Sequence, residues 1–231
     1  MAHAQTRLDV AAVGFDFDHT LGIDNKLERV AFLRLLETAC TQGGTCLGSL
    51  AEEIERIDDL LARQRSGEFS IEAAVEHFVH ERGADPAGYM EHYKQLCLHM
   101  VADFVIPEPG VREMLAALRA RAVPYAILTN GWSPLQQRKA QRTGFDGPLV
   151  VSSDIGVQKP DAAAFQALAE TLGAEPSRIA FVGDTPASDV AGAIAAGMHG
   201  VWFDAESVVY PKGIPAPTAV IHSLAELAAL V

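Results

Sequence analysis

The first hydrophobic stretch of the chain, Val10, Ala11, Ala12, Val13, Gly14 and Phe15, is short and stops at two carboxylates, Asp16 and Asp18. An apolar run of that length reads as a strand buried on both faces, as in a parallel sheet. The period then lengthens. Lys26 to Cys40 carries Leu27, Val30, Ala31 and Leu35 at helical spacing, and the chain breaks at Gly43-Gly44. Ser49 followed by Glu52 is a capping box for a helix through Ile54, Ile57, Leu60 and Leu61. Ser70 caps a third helix that Gly83 stops, and Asp85-Pro86 is expected to start a fourth that runs to Phe104. The stretch from Leu27 to Phe104 therefore predicts helices and no strand. Pro107, Pro109 and Gly110 mark its end.

From there strands and helices alternate. Val111 to Arg121 predicts a helix, Val123 to Leu128 a strand, Ser133-Pro134 to Gly144 a helix and Leu149 to Val151 a strand. Asp161 to Gly173 reads as a capped helix, Ile179 to Val182 as a strand, and Val190 to Ala196 as a small-residue helix ending at Gly197. Val201 to Phe203 and Ala219 to Ile221 add strands, and Ser223 with Glu226 boxes a last helix. The piece around Pro211, Pro215 and Pro217 reads as a surface loop. Strands alternating with helices imply a parallel, doubly wound α/β sheet, with the helical stretch inserted after the first strand.

Composition narrows the class. In 231 residues, 49% are hydrophobic and 21% charged, as in an ordinary soluble globular protein. No apolar run reaches the roughly 20 residues of a membrane span, and the start of the chain lacks a signal peptide's apolar core, so a cytoplasmic protein is expected. The net charge of −12 argues against a nucleic acid polymer as partner but not against a small phosphorylated substrate. Cys40, Cys46 and Cys97 form no paired motif and are expected to be free thiols.

Polar clusters fall at the ends of three predicted strands: Asp16, Asp18 and Thr20; Thr129, Asn130 and Gly131; Asp184 and Asp189. Lys159-Pro160 precedes a helix. Open α/β sheets bind ligands at the carboxyl ends of their strands, which puts these clusters on one edge. On an extended strand Asp16 and Asp18 point the same way, and such a pair about 4 Å apart repels by roughly 4 kcal/mol at an effective dielectric near 20. Either a cation sits there or one group keeps its proton; two exposed acids at a strand end is the rival reading. Oxygen ligands of this kind suit Mg²⁺. Thr129, backbone N–H groups and Lys159 would hold a phosphoryl group, which makes a site for phosphoryl transfer.

Four motifs in order, Asp16-Phe17-Asp18-His19-Thr20, Thr129-Asn130-Gly131, Lys159-Pro160 and Gly183-Asp184-Thr185 with Asp189, resemble the signatures of the haloacid dehalogenase-like hydrolase superfamily. The resemblance implies a Rossmann-like core over residues 1–22 and 105–231, with an all-helical cap domain inserted over 23–104. A second kind of cap would follow Gly131. The gap to Lys159 holds one predicted helix and one strand, which leaves no room for it. The helical cap would act as a lid that reads the leaving group. Its 8 Lys and Arg against 15 Asp and Glu over residues 22–104 offer no basic bowl, which disfavours polyphosphorylated or polymeric substrates.

By the same resemblance Asp16 is the nucleophile, Asp18 the general acid/base whose backbone carbonyl also meets the metal, and Lys159 the residue that screens the nucleophile. The nearby charge of Asp16 is expected to keep a proton on Asp18. Thr129, Asn130 and Gly131 bind phosphate, Asp184 ligates Mg²⁺ directly, and Asp189 does so through a bound water. Thr20, Asn130 and Asp189 also fit plain turn or cap roles. His19 departs from the Gly that many relatives carry. Trp132 fits either a substrate floor or the core. The expected activity is Mg²⁺-dependent hydrolysis of a small phosphate monoester. A phosphomutase, a haloacid dehalogenase (which lacks the second Asp of the first motif) and a non-catalytic binding or regulatory protein are the alternatives. Sugar phosphates, phosphoglycolate and nucleoside monophosphates remain unranked as substrates, as do monomer and homodimer.

Overall fold

The computed structural model of the chain describes residues 7–24, 26–65 and 68–231. In chain order its elements are β1 (Ala12–Phe15), β2 (Gly22–Asp24), α1 (Leu27–Thr41), α2 (Leu50–Arg65), α3 (Ile71–His80), α4 (Tyr89–Phe104) and β3 (Val105–Pro107). There follow α5 (Val111–Ala120), β4 (Tyr125–Thr129), α6 (Leu135–Thr143), β5 (Leu149–Val151), α7 (Ser152–Ile155) and α8 (Ala162–Leu172). The chain ends with β6 (Ile179–Gly183), α9 (Ala191–Ala195), β7 (His199–Phe203), β8 (Ala219–Ile221) and α10 (Leu224–Leu230).

Two compact units result: residues 1–24 with 105–231, and residues 25–104. In the first, six strands pair in the order β5-β4-β1-β6-β7-β8, every pairing parallel. The fold is therefore a Rossmann-like α/β sheet. Both faces of its central strands are buried, which is why they read as unbroken apolar runs. From β1 the chain builds outward through β4 and β5, then crosses back to β6 on the other side of β1. That reversal is a topological switch point, where open α/β sheets form a ligand crevice at the strands' carboxyl ends.

A second, two-stranded antiparallel sheet pairs β2 with β3, matching Gly22 to Pro107 and Asp24 to Val105. Sequence analysis expects no strand at either place. Each is three residues long, too short for a period-2 pattern to register. α6 packs on this ribbon.

Among the described residues the second unit contains α1 to α4 and no strand. The Ser49–Glu52 box forms, with the Ser49 backbone N–H donating to Glu52 Oε2 at 2.6 Å, and Ser70 Oγ caps α3 by accepting from Ala73 N–H. Phe32 packs edge-on against Phe78 and at a tilt against Tyr93 in its core. Two expectations fail here. Asp85-Pro86 does not open α4; the Asp85 carboxylate accepts from Ala87 N–H in a local turn and the helix begins at Tyr89. Cys40 and Cys46 are not free thiols but a disulfide. The turn after α1 reverses the chain at Gly43-Gly44 and brings their Cα atoms to 6.2 Å, a reach that no spacing motif signals. Cys97 is free and buried. Among the described residues no helix is long and apolar enough to cross a membrane.

Candidate active site

β1 ends one residue before Asp16, which keeps the strand's register by donating its N–H to Val182 O at 2.8 Å. Its neighbours across the switch point are the ends of β4 and β6. Asp16 is thereby set beside Asp184, the first residue after β6, and Asp189. One carboxylate oxygen from each lies within 4.8 Å of the others. Gly183 makes room for this: a Cβ there would stand 2.5 Å from the Asp189 carboxyl carbon. Asp189 sits in a wide helical turn over residues 186–190, where sequence analysis expects a helix to begin only at Val190. Its Oδ2 accepts from Thr185 N–H, four residues back, and not from an N–H of α9, so Asp189 is not the N-cap of that helix. Trp202 Nε1–H donates to Asp184 O at 3.0 Å and braces the loop from the next strand.

Lys159 is the buried cation of this group. Its Nζ lies 2.5 Å from Asp16 Oδ1 and 2.8 Å from Asp189 Oδ1. Asn130 frames the lysine's backbone: its Oδ1 accepts from Lys159 N–H at 2.9 Å, and its Nδ2 donates to Lys159 O at 3.0 Å. Both ends of the Asn130 amide are thus spent on holding Lys159. The Gly131 N–H donates to Ser152 Oγ at 2.9 Å. Thr129 ends β4 and is buried beside them in sequence.

Asp18 lies beyond the end of β1, close enough for its charge to act on Asp16. Each of the two acids has its own lysine. Lys139 Nζ donates to Asp18 Oδ1 at 3.0 Å and to Asp24 Oδ2 at 2.6 Å, and Gln136 Nε2 donates to Asp18 Oδ2 at 3.3 Å. Sequence analysis missed Gln136, Lys139 and Asp24. A signal was present: Gln136, Lys139 and Thr143 are polar yet share the buried side of α6 at helical spacing with Leu135 and Ala140.

The protonation pattern follows from these partners. Burial drives the Asp16 carboxyl well above the usual carboxylate range; Lys159 opposes it, while Asp189, Asp184 and Asp18 add to it. Burial also pushes Asp18 up, but the charge and hydrogen bonds of Lys139 and the Gln136 amide outweigh it and hold the group below its ordinary range. This direction runs against the expectation that the Asp16 charge keeps a proton on Asp18; Lys139 is the strongest charge acting on it. Asp184 is pushed up to about 6 by burial and the Asp189 charge. Burial lowers Lys159, yet Asp16 and Asp189 raise it overall, so it stays charged.

Three further residues have defined places. His19 is exposed and adopts φ 61°, the left-handed region that glycine enters without cost, while its N–H donates to Gly22 O at 2.8 Å. Trp132 is buried at 6% exposure, as a core residue is. The Thr20 N–H donates to Phe17 O, consistent with a turn role.

Three hard oxygen donors around a buried, charged lysine fit a divalent cation that takes oxygen ligands. A model of haloacid dehalogenase-like hydrolases matches residues 10–197. The chain is 41% identical over 135 residues to pyrimidine 5'-nucleotidase YjjG of Escherichia coli, covering 56% of this chain and 59% of that protein, less than two thirds of its length. It is 28% identical over 196 residues to glyceraldehyde 3-phosphate phosphatase of Methanopyrus kandleri, 82% of each chain. It superposes on the crystal structure of a 2-haloacid dehalogenase from Pseudomonas syringae with a TM-score of 0.70 at 26% identity, over 96% of this chain and 97% of that one. The four motifs, the switch-point sheet and the matched span make the chain a member of the haloacid dehalogenase-like hydrolase family.

Proposed function

We propose that this chain is a Mg²⁺-dependent phosphatase that hydrolyses a small phosphate monoester through an aspartyl-phosphate on Asp16. The observation that carries this reading is the division of labour between two acids. Asp16 is grouped with Asp184, Asp189 and Lys159, while Asp18 is held separately on Lys139. Two acids in such different surroundings can take different roles, one as nucleophile and one as proton carrier.

Asp16, Asp184 and the backbone carbonyl of Asp18 would hold the cation, with Asp189 acting through a bound water. When bound, the cation supplies positive charge that keeps the buried carboxylates ionised and neutralises phosphoryl oxygens. Lys159 fixes Asp16 by its Oδ1. A carboxylate oxygen of Asp16 bonds to phosphorus as the ester P–O bond breaks, and Asp18 passes a proton to the departing alkoxide. Water then bonds to phosphorus, its proton goes to Asp18, and the Asp16–phosphorus bond breaks. Thr129 and Gly131 lie at the end of β4, where the phosphoryl oxygens would be received. Asn130 contributes by bracing Lys159. The helical unit is read as the cap that selects the leaving group. The relatives' activities make nucleoside monophosphates and triose phosphates the first esters to try.

The test is turnover of p-nitrophenyl phosphate. Activity is expected with Mg²⁺, and it should vanish with EDTA and in Asp16→Asn. Turnover indifferent to EDTA overturns the proposal. The likeness to a 2-haloacid dehalogenase supports a second reading, dehalogenation. Release of halide from a 2-haloacid without metal would favour it. The resemblance that places an acid at Asp18 speaks against it, because the dehalogenating branch lacks that residue.

A further inference from the structure

The motif signatures do not include Lys139, yet it is among the most deeply buried charges near the site. It sits on α6, which follows the end of β4 that carries Thr129. Its side chain is 3% exposed and bridges two acids: Asp18, 31% exposed, and Asp24, 9% exposed and the last residue of β2. A buried lysine is desolvated at a cost that only close carboxylates offset. Asp24, itself buried, accounts for one of the two contacts. Asp18 also offsets that cost, but unlike Asp24 it is a carboxylate one-third open to solvent, so the lysine also fixes an acid that solvent can reach.

The bridge is asymmetric at the atomic level. Lys139 takes Asp18 Oδ1, leaving Oδ2 to the Gln136 amide at 3.3 Å. Gln136 is 3% exposed, packs where a Cβ on Gly131 would stand 2.5 Å from its Nε2, and its buried Oε1 has no hydrogen-bond partner. Turned over, the same amide would present an acceptor to Oδ2 when that oxygen carries a proton.

We propose that Lys139 is a positioning residue for the reaction: anchored on Asp24, it pins Asp18 by Oδ1 so that Oδ2 is the oxygen that gives and takes the proton, backed by Gln136. This rests on the phosphatase reading above. The proton leaves Oδ2 for the ester oxygen as the P–O bond breaks, and Oδ2 regains one from the water that attacks the aspartyl-phosphate. α6 and the β2–β3 ribbon, packed together, give the bridge rigid ends.

The test compares kcat/KM, which reports the step that expels the leaving group, for glycerol 2-phosphate and p-nitrophenyl phosphate. The second ester leaves readily without a proton. In Lys139→Met, kcat/KM for the alkyl ester should fall by ~10²-fold, within the range of lost acid–base catalysis, and for the aryl ester by less than about tenfold. Lys139→Arg should recover part of the loss. Asp24→Asn, which keeps the lysine but frees its anchor, should show the same preference more weakly, and covers the case of a Lys139→Met protein that does not fold. In an Asp18→Asn background Lys139→Met should add less than about threefold, since two residues acting through one group are not additive. Equal losses on both esters, a fully additive loss in that background, or a lower melting temperature with unchanged kcat/KM would each overturn the proposal. If the wild type shows no Mg²⁺-dependent turnover, both readings fall together. If wild-type turnover is lost in Asp16→Asn while the Lys139 variants show equal losses, the Lys139 proposal alone fails.

Discussion

Lys159 and Lys139 solve the same electrostatic problem in two places. Each is a buried cation between two carboxylates, and together they separate Asp16 from Asp18 into different environments. The geometry around them leaves little tolerance. Gly183 is the sharpest case, because a methyl group there would stand 2.5 Å from Cβ, Cγ and Oδ2 of Asp189. Asp189 is 1% exposed and already holds Lys159 Nζ and Thr185 N–H, so it has nowhere to yield. Gly183→Ala is expected to cost about 1–3 kcal/mol by overpacking, read by urea unfolding, and to weaken Mg²⁺ binding at least ~10-fold, read by calorimetric titration. Unchanged metal affinity in a folded Gly183→Ala protein would show that Asp189 does not help hold the cation. At this scale the residue types at the strand ends were legible beforehand, because acids after an apolar run stand out against it. For Gln136 and Lys139 only their spacing with Leu135 and Ala140 was legible, not their role, and for Asp24 nothing was, because their partners lie more than a hundred residues away along the chain, or on a three-residue strand.

The elements obey local rules where their signals are local. Capping at Ser49 and Ser70, the glycine stops after α6 and α8, and the positions of β5 and β8 follow the pattern of the chain. The departures have tertiary causes. The β2–β3 ribbon exists only because its strands find each other from either side of the helical insertion. Within the helical unit, Arg82 and Glu53 form a fully buried pair. Arg82 also donates to Phe78 O and lies 3.6 Å over the Phe78 ring, and Glu53 Oε1 accepts from Leu47 N–H at 2.7 Å. Removing the cation leaves a carboxylate buried with no compensating charge. Arg82→Met should therefore destabilise the protein by about 3–5 kcal/mol, whereas replacing both partners with apolar residues of similar volume should cost far less. Denaturant midpoints of the single and double variants check this; equal losses in both would mean that packing, not charge, dominates the site.

At the scale of the whole molecule, the order of the strands decides that a site exists. Crossing back over β1 sets the ends of β1, β4 and β6 side by side, so that acids contributed from distant parts of the chain share one crevice. Mutual crowding of those acids ties metal binding to pH. In the metal-free protein the Asp184 carboxyl sits at about 6, raised by burial and Asp189, and a cation requires it ionised. Above that value the carboxylate is ready to bind; below it a proton must first be displaced. The rise in melting temperature produced by a fixed, moderate concentration of Mg²⁺ is expected to be larger at pH 7.5 than at pH 5. Asp184→Asn, which cannot ionise there, should show a small rise at both. A rise in the wild type that is the same at both pH values would place the cation elsewhere.

The chain by itself determined the alternation of strands and helices, the helical stretch after the first strand, and which residue types end the central strands. All of these are written in periods and caps spanning a few residues. Only the tertiary structure decided how the charges are shared: which lysine neutralises which acid, that Asn130 frames Lys159, that Lys139 takes Asp18, and that Cys40 meets Cys46. Electrostatic pairing depends on distances through space rather than along the chain, and those distances come into being only when the sheet closes its order.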